Sequence, residues 1–97
     1  MAKRVVWASQ AKIDRYRILT YWKENNKSSR YSKKLNTLFN EAICSIRENP
    51  LLGKRTDELG VRLKVVTHFL FIYEILENEI LILRVWDSRQ NPQKLKH

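Results

Sequence analysis

The sequence has one cysteine, two glycines, two prolines and few acidic residues, and each scarcity excludes something. A lone Cys44 rules out an internal disulfide framework and a cysteine-based zinc site. So little glycine and proline leaves no room for collagen-like or low-complexity chain. The longest uncharged run, Val65 to Tyr73, contains Thr67 and His68 and falls far short of the ~20 residues of a membrane span. No membrane partner is expected. The opening stretch MAKRVVW lacks an extended apolar segment and a small-residue cleavage site, so no signal peptide is expected and the address is cytoplasmic. Neither the composition nor any motif calls for a metal or another cofactor.

What is present is charge of one sign. Nineteen Lys and Arg face ten Asp and Glu, a formal net charge of +9. Such an excess concentrates anions around the protein and suits nucleic acid, acidic proteins or anionic surfaces. Hydrophobic residues make up 43% of the 97, enough for one core in a single domain spanning 1–97.

Along the chain, Lys3 to Trp7 is β-branched and aromatic and reads as a strand. Ser9 stands at the cap position of a helix running from Gln10 to about Asn25. Ala11, Ile18 and Trp22 form its stripe. Ser28 or Ser29 caps a second helix, in which Leu35, Leu38, Phe39, Ala42 and Ile46 share one face. Asn49-Pro50 ends it, because the residue before proline avoids the helical region. A charge placed on that face, as in Leu38→Asp or Phe39→Asp, is expected to unfold the domain.

After a polar connection from Pro50 to Gly60 the apolar period changes from 3.6 to 2. Val61, Leu63 and Val65 alternate with Arg62, Lys64 and Val66. Phe69 to Leu76 reads as a central strand, Glu77-Asn78-Glu79 as a turn and Ile80 to Trp86 as the last strand. In that strand Leu81, Leu83 and Val85 fall on one face and Ile80, Ile82, Arg84 and Trp86 on the other. The order is β-α-α-β-β-β, an α+β fold. An antiparallel helix hairpin is expected to cover one face of an antiparallel sheet. Alternation then sends Arg62, Lys64, Arg84 and Trp86 to the uncovered face, as a basic groove containing an aromatic.

Other residues have plainer readings. His68 is a polar turn residue, with acid–base work as the alternative. Glu74 is either a general base beside Arg84 or its cross-strand partner. Tyr73, Trp7 and Trp22 belong to the core, and Cys44 is structural. The basic stretch Lys23 to Lys34, at the tip of the helix hairpin, is a second candidate surface.

Several segments together resemble the RelE/ParE superfamily of toxins from bacterial type II toxin–antitoxin systems. They are Val6-Trp7-Ala8-Ser9 with Ala11 and Asp14, then Ile18 and Tyr21, Asn49-Pro50 and Gly53. Phe69 to Ile75 and Ile82 to Pro92 carry the sharpest part. The resemblance implies a growth-arresting toxin held in an oligomer by a cognate protein antitoxin. RelE-like members cleave messenger RNA on the ribosome, metal-independently, whereas ParE-like members act on DNA gyrase and are not enzymes; an inactive homologue that only binds antitoxin is the further alternative. For a RelE-like nuclease the resemblance implies Arg62, Lys64, Arg84 and Arg89 as the catalytic cations. For target or nucleic-acid binding it adds Trp86 to the same four. Two departures favour the ParE-like branch. Leu70 stands where RelE-like enzymes place an arginine, and no tyrosine follows Tyr73.

Overall fold

The computed structural model describes residues 3–26 and 29–89. The sequence's strand and helix order is present in it: β1 (Arg4–Trp7), α1 (Ser9–Asn26), α2 (Ser29–Glu48), then the strands. A 3-10 turn, Pro50–Leu52, follows α2 and leads into β2 (Lys54–Arg55), β3 (Val61–Val66), β4 (Phe69–Ile75) and β5 (Glu79–Asp87). The first bond of α1 runs from the Lys12 N–H to the Ala8 carbonyl at 3.0 Å. Ala8 is therefore the cap, and Ser9 already belongs to the first turn. Ser28 and the Ser29 side chain, the candidate caps of α2, lie outside the described residues.

The sheet order is β1-β5-β4-β3-β2. Consecutive strands from β2 to β5 pair antiparallel, and β1 joins β5 in parallel. Neighbour rules say nothing about that last pairing, because the two strands stand far apart in sequence. β2 is an addition to the expected order. Its two residues are charged and exposed, so no hydrophobic period marks them.

Pairing register fixes which side chains meet the helices. Directly paired residues point to the same side, so Trp7, Ile82 and Tyr73 form one row and Phe71 with Val85 another. The α2 face meets them as its period demands. The Phe39 ring lies 5.0 Å from Phe69 and 5.6 Å from Phe71, both edge-on. Each such pair contributes about 0.5–1.5 kcal/mol beyond the area it buries. Leu35, Phe39, Ala42 and Ile46 are buried, whereas Leu38 is only half-buried. A charge at Leu38 therefore reaches water, and unfolding is expected from Phe39→Asp alone.

Two expectations about strand faces are corrected by the register. Arg62 pairs with Tyr73 and Lys64 with Phe71, so both cations project from the helix side of the sheet, not the open side. They can do so because β3 lies near the margin of the sheet, where long side chains reach solvent past the helix. In β5 the pairing shifts: Ile72 opposes Arg84 but Tyr73 opposes Ile82. Leu83 is the extra residue of a bulge, which reverses the alternation. Ile80 and Ile82 before it, and Val85 and Asp87 after it, all face the helices and are buried. Arg84 and Trp86 keep the expected open face, but opposite to Ile80 and Ile82.

Tyr73 ties the core to the loop after α2. Its hydroxyl donates to the Pro50 carbonyl at 2.6 Å and accepts the Gly53 N–H at 3.0 Å. Burial pushes this hydroxyl above its usual pKa, against smaller opposing pulls from Gly53 and Arg62. A Cβ on Gly53 would stand 2.5 Å from the same oxygen, so close approach is what requires glycine there.

Candidate interaction face

The sheet face turned away from the helices has an apolar centre bordered by Arg4, Lys54, Glu74, Glu79 and Arg84. Val6 and Leu81 form one row across it, Leu63 and Ile72 another, and Val65, Leu70 and Trp86 a third. Six of these are half-buried and Val65 is 58% exposed. None belongs to the core cluster. Contiguous apolar surface of this kind makes the face a candidate interaction site. Its rim is polar: Arg4 and Glu79 make an exposed ion pair at 3.4 Å, Glu74 lies between Val61 and Leu81, and Arg84 stands beside Trp86.

Arg84 is held from behind the sheet. Its Nε and one terminal nitrogen reach the two carboxylate oxygens of Asp14 at 2.8 and 3.2 Å. Asp14 is buried, and one of its oxygens also accepts the Val85 N–H at 3.0 Å. This bond has a topological cause. β1 leaves β5 after pairing with Ile82, and the Ala8 N–H makes a last bond to the Ile82 carbonyl. Beyond that point β5 has no strand on its β1 side among the described residues, and the α1 carboxylate takes the place of one. The guanidinium lies 5.3 Å from the centre of the Trp86 ring, which places a fixed cation at the edge of the apolar face. Glu74 is thus not the partner of Arg84. The carboxylate that fills that role comes from α1.

Arg89, just past the C-terminal end of β5, is similarly committed. Asp87 accepts the Trp22 indole N–H at 2.6 Å, the Arg89 backbone N–H at 2.9 Å and the Arg89 Nε at 3.3 Å. A further Arg89 nitrogen donates to the Tyr31 hydroxyl at 3.1 Å, and the guanidinium lies 4.3 Å from the Trp22 ring centre. Burial opposes this charge, but the bonds to Tyr31 and Asp87 outweigh it and raise the pKa. Arg62 turns inward to the Gly53 carbonyl at 2.8 Å. The five predicted site residues are therefore dispersed. Arg84 and Trp86 are neighbours on the open face, Arg62 and Lys64 lie on the other side of the sheet, and Arg89 braces the helix hairpin.

Asp14 and Asp87 carry most of this arrangement, and neither was assigned a role from sequence. A signal existed for Asp14. It stands three residues after Ala11 and four before Ile18, on the buried stripe of α1, where a carboxylate requires a partner. His68 is exposed in the β3–β4 turn, its carbonyl accepting the Ser88 N–H at 2.9 Å and the Ser88 hydroxyl at 3.0 Å. The tail from Gln90, including Asn91, Pro92 and Leu95, and part of the Lys23 to Lys34 stretch lie outside the described residues.

The family profile described as ParE toxin of type II toxin-antitoxin system, parDE, matches residues 5–92. This chain belongs to the ParE toxin family. Solved structures share its fold. A chain of the chromosomal ParDE toxin–antitoxin system from P. aeruginosa superposes with a TM-score of 0.76 at 19% identity, covering 89% of this chain and 96% of that one. A chain of the RelBE2 toxin–antitoxin complex from Mycobacterium tuberculosis gives 0.64 at 17% identity, covering 90% and 99%. A chain of the E. coli DinJ–YafQ complex gives 0.50 at 15% identity, covering 92% and 96%. Among curated protein sequences nothing matches the chain. Membership in the ParE family makes it the toxin member of a type II pair with a cognate antitoxin as partner. No helix among the described residues is long and apolar enough to cross a membrane.

Proposed function

We propose that this ParE-family chain arrests growth in the cytoplasm by a non-hydrolytic block of DNA gyrase, and that its cognate antitoxin neutralises it by covering the open sheet face. The observation that carries the second half is the apolar surface built from Leu63, Leu70, Ile72, Leu81 and Trp86, which no element of the described fold covers. Burial of such surface stabilises a complex by roughly 25 cal/mol per Å² before the costs of association. An amphipathic segment with an acidic flank fits best, because Arg84 stands fixed at the edge of the face. Arg84 and Trp86 are the proposed polar and aromatic contacts.

The first half rests on family membership and on the dispersal of the cations. A phosphoryl-transfer site needs its charges converging within about 3 Å of one reacting group. Arg62, Lys64, Arg84 and Arg89 face different sides of the sheet, and three of the four are engaged with protein oxygens. The arrangement supports a binding toxin over an RNA-cleaving one.

The test pairs two assays on the purified chain. Gyrase supercoiling should fall with added toxin and recover when antitoxin is added in equal amount. Transcripts mapped after induction in a bacterial host should keep their ends while growth stops. Codon-phased cuts with unimpaired supercoiling would overturn the proposal.

A further inference from the structure

β1 is the edge strand of the sheet on the side away from β2, and α1 begins two residues after it. The two elements meet at a cavity of about 430 Å³ lined by Val6, Trp7, Lys12, Arg15, Tyr16 and Leu19. Lys12, Tyr16 and Leu19 stand at i, i+4 and i+7, so one stripe of α1 supplies a cation, an aromatic ring and an aliphatic side chain. It lies beside the stripe that carries Ala11, Asp14 and Ile18 into the core. No acid lines the cavity. The carboxylate next to it in sequence, Asp14, is committed to Arg84 and Val85.

Arg15 is the unusual member of this set. Its guanidinium lies 4.9 Å from the centre of the Trp7 ring and 5.9 Å from that of Phe39, half-buried. Among the described residues its acceptors are the amide oxygens of Asn36 and Asn40, which carry no charge. Burial pulls its pKa down, and no carboxylate pulls it back. A partly desolvated cation held only by neutral groups lacks a counter-charge. Both asparagines take the same terminal nitrogen, so Nε and the other terminal nitrogen keep their donors free. Tyr16 is 71% exposed. Among the described residues neither its ring nor the Lys12 ammonium has a partner.

We propose that this cavity binds one nucleoside phosphate, its base stacked on Tyr16 against the apolar lining of Val6, Trp7 and Leu19, and its phosphate held by Lys12 and Arg15. The lining is divided as such a ligand is, with aromatic and aliphatic surface beside two cations. Phosphate supplies the counter-charge that Arg15 lacks, through charge-assisted hydrogen bonds to its free nitrogens. The size suits one such unit, since small-ligand cavities run about 300–1,000 Å³, whereas a protein partner requires a far wider contact. Stacking tolerates any base, and no side-chain amide or carboxylate lines the cavity to read a base edge. Affinity should therefore follow ring size, purine above pyrimidine. The site shares only Val6 with the open face, and the inference does not depend on which target is poisoned.

The probe is adenosine 5′-monophosphate, titrated into the purified chain at low salt and followed through backbone amide and indole resonances. Shifts should centre on Trp7, Lys12, Arg15 and Tyr16, with the Trp22 and Trp86 indoles nearly still. Adenosine and ribose 5-phosphate, each carrying half of the ligand, should bind at least about tenfold more weakly. Tyr16→Ala should weaken binding by about tenfold through lost stacking, and Lys12→Gln by several-fold through lost charge. Both side chains are exposed, so these variants read the site even if Arg15→Gln, expected to lose tenfold or more, disturbs the packing over Trp7. Arg55→Gln, on the opposite edge strand, removes the same charge and should leave the affinity unchanged. A short 5′-phosphorylated oligodeoxyadenylate separates the two sources of the ligand. Tighter binding than the mononucleotide assigns the site to a strand end, and weaker binding to the free nucleotide. Equal affinity for inorganic phosphate, shifts spread over the exposed lysines and arginines, or full affinity in both Tyr16→Ala and Lys12→Gln would each overturn the proposal.

Discussion

The two faces of one sheet differ in what covers them, and the difference divides stability from recognition. On the helix side, Phe69, Phe71, Tyr73, Ile82 and Val85 are buried under α1 and α2. On the other side, Leu63, Leu70, Ile72 and Leu81 are as apolar but only half-covered. Both sets sit on the same strands and alternate with one another. A strand that is apolar on both faces reads as a near-continuous hydrophobic run, usual where both faces of a sheet are covered. Here the described residues supply only one cover, and the second is the one we propose for the antitoxin.

The comparison is broken most severely on the covered side. Phe39→Asp places a charge against Phe69 and Phe71 and should cost more than about 4 kcal/mol. Loss of the cooperative thermal transition would show it. Asp14→Ala comes next, at about 2–4 kcal/mol, because it strands both Arg84 and the Val85 N–H. Asp14→Asn should recover part of that loss, and denaturant titration separates the two.

Tyr73→Phe removes two buried hydrogen bonds and should cost about 1–2 kcal/mol at neutral pH. Its pH dependence has a definite sign. With the folded pKa raised, the unfolded chain gives up this proton first, so stability holds below about pH 10 and declines above it. The variant should lose that alkaline decline.

On the open side the expectation reverses. Ile72→Asp should cost under about 1 kcal/mol of stability, since the new charge remains solvated. Its affinity for the antitoxin should nevertheless fall by tenfold or more, roughly 1.4 kcal/mol for each decade. The smallest effect belongs to Arg4→Ala, which removes an exposed ion pair worth about 0–1 kcal/mol.

Much of the covered side was legible in the sequence. The α2 stripe, the Ala11 and Ile18 positions and the run from Phe69 each follow a period that burial imposes. The open side was legible in outline and wrong in detail, for physical reasons. A bulge adds one residue without a compositional mark, so Leu83 shifted the faces of β5 unseen. Alternation alone sends Arg62 and Lys64 to the open side, because it takes the apolar Val61, Leu63 and Val65 as the covered set. At the margin of a sheet, however, a long cation reaches water from the covered side too. The candidate site suffered most, because dispersal of its cations depends on partners such as Asp14 and Asp87 that come from other elements.

Methyl resonances of the chain, labelled at isoleucine and leucine and titrated with its cognate antitoxin, test the division directly. The largest changes should fall on Leu63, Leu70, Ile72 and Leu81, with Ile18 and Ile46 nearly still. Antitoxin binding that leaves the open-face methyls unmoved, while shifting those beneath the helices, would contradict it.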